Sequence, residues 1–187
     1  MPSPLSWKTL ETRIRSEMIW LRDAIDTFFK GASDTAGSPV CRDCLLREIA
    51  TMIVLGDIGV CEIKRPHSTF WLSPPPTQNN LGNPNEIHHG GKWHREMMMS
   101  IEDHYVAQGF RVDREPLLAH GRADLGVYRD DTFPLFVEVG TTSLYKICTN
   151  LKSMHDFVYL IVPADKRLVE FSKPPIRDNV LRDDDHA

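Results

Sequence analysis

The sequence predicts an α/β protein, a mixed sheet flanked by helices, with a helical or winged-helix-like N-terminal domain. Three observations carry this. Leu5, Leu10, Ile14, Met18, Leu21, Ile25 and Phe28 recur at three- to five-residue intervals, the period of an amphipathic helix. Residues 73–91, with Pro74-Pro75-Pro76, Asn79-Asn80 and Gly90-Gly91, can bury no periodic apolar face and read as a linker. Beyond them the pattern changes to helix, three strands, helix, strand. The expected organisation is an N-terminal domain over 1–72, a linker over 73–91, an α/β domain over 92–175 and a disordered tail over 176–187.

The first helix is expected over 5–30, with Ser6 as its cap and Gly31 after its end. A second runs from about Asp43 to Leu55 and stops at Gly56. Val60 to Lys64 and Ser68 to Leu72 then flank Arg65-Pro66-His67, the pattern of a hairpin with a basic tip. Helix followed by such a hairpin is the back half of a winged helix. Past the linker, Lys92 to Gln108 is helical and is ended by Gly109. Strands are expected at Phe110 to Pro116, Ala123 to Tyr128 and Pro134 to Val139. A helix at Leu144 to Met154, an apolar strand at Phe157 to Val162 and an edge strand at Leu168 to Phe171 complete the chain.

Composition narrows the function classes. The 187 residues are 41% hydrophobic and 26% charged, as in ordinary globular proteins. No run of about 18 apolar residues occurs, which excludes a single apolar membrane-spanning helix. The start, Met1-Pro2-Ser3-Pro4, lacks the regions of a signal peptide, so an intracellular location, cytoplasmic or nucleoid-associated, is expected. A net charge of −4 argues against a uniformly basic coat; nucleic acid would have to meet a local patch or a metal-assisted site.

The chemistry concentrates in two strands. If Tyr128 and Pro134 bracket the loop 129–133, Asp124 falls opposite Glu138. Two half-buried carboxylates so placed repel each other, so one takes a proton or a cation sits between them. Oxygen ligands of this kind suit Mg²⁺ or Mn²⁺, which retain waters and accept phosphate oxygens. The plainer alternative is a surface pair held by Arg122 or Lys146.

Gly121-Arg122-Ala123-Asp124-Leu125-Gly126-Val127, followed by Phe136-Val137-Glu138-Val139-Gly140-Thr141-Thr142, resembles the core of the PD-(D/E)XK nuclease superfamily, which includes restriction endonucleases and Holliday-junction resolvases. The resemblance covers about 80 residues, including the flanking helices and the apolar strand, and rests on the order of elements as much as on the motif. It implies a restriction-endonuclease-like fold and a divalent metal held by Asp124 and Glu138, with Val139 offering its backbone carbonyl. Two positions depart from the pattern. Ala123 replaces the motif proline, which is harmless. Gly140 replaces the catalytic lysine, which positions and helps ionise the attacking water. Lys146, on the next helix, is the candidate substitute; if it points to solvent, the domain binds DNA without cutting it.

Further acids and bases surround this pair. Glu115 ends the strand before Asp124, where some relatives carry an acid. On the leading helix, Met97, Met98, Ile101 and Tyr105 define the buried stripe, with Glu96 nearly opposite it and His94 near its centre. His94 is thus a candidate for catalysis or for a packed, hydrogen-bonded core histidine. Arg114 and Arg122 near the pair, and Lys64 and Arg65 at the hairpin tip, are candidate nucleic-acid contacts. Cys41, Cys44, Cys61 and His67 could build a Cys3His zinc site, or the cysteines are simply free thiols; a Cys-x-x-Cys pair is also a redox motif.

The expected function is metal-dependent hydrolysis of DNA phosphodiester bonds, in a protein that pairs as a homodimer if it cuts duplex DNA. The rivals are a non-catalytic DNA-binding or regulatory protein of nuclease-like fold, and an interaction module whose N-terminal helix docks a protein partner.

Overall fold

The computed structural model describes residues 6–29, 41–64, 91–140, 142–163 and 167–173. The expected second hairpin strand at 68–72, its tip at Arg65 and His67, nearly all of the 73–91 segment and the tail 176–187 lie outside these residues.

Among the described residues, four helices surround one six-stranded mixed sheet. In chain order these are α1 (Trp7–Phe29), α2 (Arg42–Leu55), β1 (Gly59–Lys64), α3 (Lys92–Ala107), β2 (Arg111–Arg114), β3 (Leu125–Tyr128), β4 (Leu135–Val139), α4 (Leu144–Ser153), β5 (Phe157–Val162) and β6 (Arg167–Lys173). The sheet order is β1-β6-β5-β4-β3-β2, with β4 and β5 parallel and every other pair antiparallel. The parallel pair is joined through α4, as a parallel connection requires.

Local sequence accounts for the element ends. Ser6 caps α1 by accepting the Thr9 N–H on its Oγ at 3.2 Å. Gly56 takes the left-handed conformation (φ 81°) that closes α2, where a side chain would be strained. The alternation of faces then sorts the core into two layers. Phe136, Phe157, Tyr159, Ile161, Val169 and Phe171 face α1, α2 and α4. Leu125, Val127, Val137, Val139, Leu160 and Val162 face α3 through Trp93, Met97 and Ile101. Every residue of β5 except Val158 is buried, which explains its unbroken apolar run.

Two expectations change. The strand at 167–173 is not an edge; it lies between β5 and β1, and among the described residues β1 takes the edge. The expected boundary at 73–91 separates stretches of sequence but not cores. Gly59 to Lys64 pair with Ser172 to Arg167, and Ile14, Leu21, Leu46 and Ile49 belong to the same cluster as Ile147, Tyr159 and Phe171. Long-range burial overrides the linker signal here. The apolar stripe of α1 is likewise used internally: Ile14, Leu21 and Ala24 are buried, and the Arg47–Glu11 and Arg22–Asp43 ion pairs, both at 2.8 Å, join α1 to an antiparallel α2. No helix among the described residues is long and apolar enough to cross a membrane.

A shared core makes a shared transition. Ile49→Ala, at a fully buried position, should cost about 2–5 kcal/mol. Urea unfolding of the wild type should be a single transition by both far-UV dichroism and tryptophan fluorescence; two separated transitions would restore the two-domain division.

Candidate active site

The site forms where β3 begins and β4 ends. Leu125 pairs with Val137, Gly126 with Phe136 and Val127 with Leu135, the register expected from the loop 129–133. One step further along this register stand Asp124 and Glu138. The strand does not reach Asp124 in regular form, however. Within a regular strand the N–H and C=O of one residue point to the same neighbour. The Asp124 N–H donates to Val137 O at 3.0 Å on the β4 side, whereas its C=O accepts the Glu115 N–H at 3.0 Å on the β2 side. The backbone therefore turns at Asp124, and β3 starts two residues later than the sequence suggested. The carboxylate then accepts the Val139 N–H at 2.7 Å on Oδ2, a side chain serving as the ladder partner at the end of β4.

Asp124 and Glu138 are each 4% exposed, so neither is a surface acid. Glu138 shares its face with Phe136 and Tyr159, beneath α4. Its Oε1 meets Lys146 Nζ at 2.7 Å and accepts the Tyr159 hydroxyl at 2.7 Å. Both contacts fall on one oxygen; among the described residues Oε2 has none. Burial pushes the Glu138 carboxyl above its ordinary value. The Lys146 ammonium and the Tyr159 hydroxyl oppose this shift, and the Asp124 charge adds to it. Burial, with Glu138 beside it, also drives the Tyr159 phenol far upward, so it serves as a donor throughout the working pH range.

His94, on the first turn of α3, is 3% exposed, and its Nε2 lies 3.3 Å from Asp124 Oδ2. The core-facing position expected from the helical stripe is thus occupied, and the residue it faces is one of the two acids. Glu96 is exposed on the other side, 3.8 Å from Lys92.

Position 140, where the resemblance leads one to expect a lysine, has a backbone that favours glycine. Gly140 has φ 81°, and its N–H donates to Val162 O at 2.7 Å. A lysine there would be strained in the left-handed region. Lys146 instead reaches Glu138 from α4, with a quarter of its side chain exposed against 5% for Glu138. Lys146 is thus the more exposed partner of the pair. Its stem runs beside Gly121, where a Cβ would lie 3.6 Å from Lys146 Cε.

The remaining candidates divide. Glu115 lies at the turn after β2 with φ 49° and is exposed; only its backbone takes part, through Asp124 and through the Arg122 guanidinium on its carbonyl at 2.8 Å. Arg114 is tied to Glu102 of α3. Both arginines thus already have intrachain partners. Lys64 ends β1, but its side chain, with Arg65 and His67, lies outside the described residues. Cys41 and Cys44 are exposed at the start of α2, and Cys61 sits in β1 opposite Glu170. Among the described residues no three His, Cys, Asp or Glu side chains form a metal-sized group.

Sequence reasoning missed Tyr159 and Asn150. The signal for Tyr159 was a single hydroxyl in an apolar strand, which demands a buried partner. Asn150 is fully buried and joins the loop to α4: it accepts the His120 N–H at 2.8 Å and donates to His120 O and Lys146 O, each at 2.9 Å. Four residues after Lys146, it lies on the same helix face.

Comparison of the chain with protein families, with characterised proteins and with solved structures finds no match.

Because its carboxyl titrates higher in the folded chain, Glu138 contributes most to stability below the ordinary value of 4.5, and that contribution is lost as pH rises through the raised value. Glu138→Gln removes the titration. Measured by urea unfolding in chelator, the stability of this variant relative to wild type should improve as pH rises across that window. A difference flat with pH would show that the carboxyl is not desolvated.

Proposed function

We propose that the protein is a divalent-metal-dependent nuclease of restriction-endonuclease-like fold that hydrolyses DNA phosphodiester bonds at Asp124 and Glu138. The observation that carries this reading is the buried Glu138 carboxylate, held by Lys146 through one oxygen and close enough to a second buried acid, Asp124, to feel its charge. The order α3-β2-β3-β4-α4-β5, with β4 and β5 parallel, supports it, because the resemblance to the PD-(D/E)XK superfamily implies that sequence of elements. In this reading α1, α2 and β1 extend the nuclease-like sheet and helical layer, in place of a separate winged helix.

The donor set fits Mg²⁺ or Mn²⁺. Two hard carboxylates bring two negative charges against the single ammonium of Lys146, and Glu138 Oε2 has no hydrogen-bond partner among the described residues. Such ions take few protein ligands and complete their shells with water and phosphate oxygens. Asp124 and Glu138 would hold the ion, with the Val139 carbonyl at the end of β4 as a third donor. When bound, it supplies charge stabilisation to a scissile phosphate. Lys146, the most accessible group of the cluster, orients the attacking water and stabilises negative charge. Tyr159 fixes the Glu138 rotamer. His94 positions Asp124 from the α3 side, and Asn150 holds the turn of α4 that carries Lys146. Glu115 has no side-chain role in this scheme.

A second reading has its own observation: Glu138 Oε1 and Asp124 Oδ2 are already saturated by Lys146, Tyr159 and Val139, as in a structural cluster of a non-catalytic DNA-binding protein. Nicking of supercoiled and branched DNA separates the two. The nuclease reading expects cleavage with Mg²⁺ or Mn²⁺ that falls at least about a hundredfold in Glu138→Ala, Asp124→Ala and Lys146→Ala, with folding checked by circular dichroism. DNA binding that survives EDTA, with no nicking in Mn²⁺, would select the second reading.

Gly140→Lys offers a further discrimination. Because the backbone there is left-handed, it should cost about 1–2 kcal/mol and should not restore cleavage to Lys146→Ala. Recovery of nicking in that double variant would place the functional amine on β4 and remove Lys146 from the scheme.

A further inference from the structure

The four cysteines occupy three different environments. Cys148 is buried in α4, its thiol donates to Glu48 Oε2 at 3.4 Å, and burial pushes it up to about 12, so it is inert. Cys61 lies in β1, its sulfur 4.0 Å from Glu170, and burial raises it. Cys41 and Cys44 are both exposed, three residues apart on the first turn of α2.

That placement suits a disulfide better than a pair inside a helix would. Helical residues three apart hold their β-carbons about 5–6 Å apart, wider than the roughly 3.5–4.5 Å of a disulfide. Cys41 stands at the N-cap, with φ −61° and ψ 113°, and so is released from helical spacing. Its carbonyl still accepts the Cys44 N–H at 3.0 Å, which keeps the two residues on one turn. The two thiols interact asymmetrically. The Cys44 thiol, and then the first-turn amides of Cys44 and Asp43, hold Cys41 below its ordinary value, whereas Cys41 holds Cys44 above. Beside Cys44 opens a groove of about 440 Å³ lined by Arg47, Glu48, Thr51, Met52 and Lys152.

We propose that Cys41 and Cys44 form a redox-active dithiol that exchanges with a small-molecule disulfide of the oxidised-glutathione type. The Cys41 thiolate attacks one sulfur of the disulfide, forming a mixed disulfide and expelling one thiolate, which takes up a proton. Cys44 loses its proton to solvent and attacks the Cys41 sulfur, forming the Cys41–Cys44 bond and expelling the second thiolate, which is protonated in turn. Two electrons pass to the small disulfide, and two small thiols are released. The division of labour follows the geometry: the N-cap thiol is the nucleophile and the thiol one turn on resolves it.

The test uses the full chain, equilibrated anaerobically in reduced and oxidised glutathione, quenched with iodoacetamide and mapped by mass spectrometry. Wild type should form an alkylation-resistant Cys41–Cys44 disulfide, with Cys61 and Cys148 still reduced. Cys44→Ser should accumulate a glutathione adduct on Cys41. At neutral pH, Cys41 in that variant should alkylate at least about tenfold faster than Cys44 in Cys41→Ser. Three results would each overturn the proposal: no intramolecular disulfide at any glutathione ratio, equal reactivity of the two thiols, or a reduced chain carrying zinc that both serine variants lose. The last would assign the pair to a metal. All three readouts are independent of DNA cleavage.

Discussion

The cost of placing the Glu138 carboxylate inside the sheet sets the terms for everything around it. A buried carboxylate without partners is too expensive to keep charged. Lys146 and Tyr159 supply those partners from two different elements, α4 and β5, and both converge on one oxygen. Breaking a buried pair of this kind costs about 3–5 kcal/mol, because the surviving partner is left uncompensated. Replacing the whole set by apolar side chains need not cost anything. A stability argument alone therefore does not explain why a second acid, Asp124, stands beside Glu138 and raises its carboxyl further. Like charges held together in a low-dielectric site are characteristic of sites that bind a cation or move a proton.

The backbone at the end of β4 is shaped around the same cluster. Val139 gives its N–H to the Asp124 carboxylate, and Gly140 then enters the left-handed region and bonds to Val162. The chain thus leaves β4 by a turn that no β-branched or long side chain would follow at Gly140. The amine that meets Glu138 comes from the first turn of α4, and its long stem passes Gly121. A long side chain would be strained at Gly140, and the amine that meets Glu138 is carried by α4.

Features governed by local period were legible in the sequence. Helix spans, the Ser6 cap, Gly56 and Gly109 as terminators, and the β3/β4 register follow from side-chain spacing and loop length, and the register brought Asp124 and Glu138 to the same end of the sheet. His94 was placed by its helical phase near the centre of the α3 stripe and is buried there, whereas Lys146 was a candidate only through the resemblance, as an amine from the next helix. Features set by long-range pairing were not legible. Nothing near residues 59–64 announces that they will pair with 167–173, and a proline-rich stretch between two patterned segments looks like a boundary whether or not the segments share a core. The turn at Asp124 was hidden too, because it depends on a side chain replacing a backbone partner. Tyr159 was hidden by its apolar neighbours, although its hydroxyl could have been asked for an acceptor.

The N-terminal helices bear on the site through α4. Leu45, Leu46, Ile49 and Ala50 of α2 are buried in the cluster that contains Ile147, Cys148 and Leu151 of α4. Glu48 joins the two helices again, meeting Lys152 at 3.0 Å and Cys148 at 3.4 Å. Helix α4 is thus clamped between the sheet and α2, with Ile147 and Leu151 turned inward and Lys146 and Asn150 turned toward the turn at Gly121. A site needing an amine within hydrogen-bond reach of a buried carboxylate tolerates little movement of the helix that carries it. Helix α2 packs on α4 and so restrains the helix that carries Lys146, which ties α1 and α2 into the same core as the sheet.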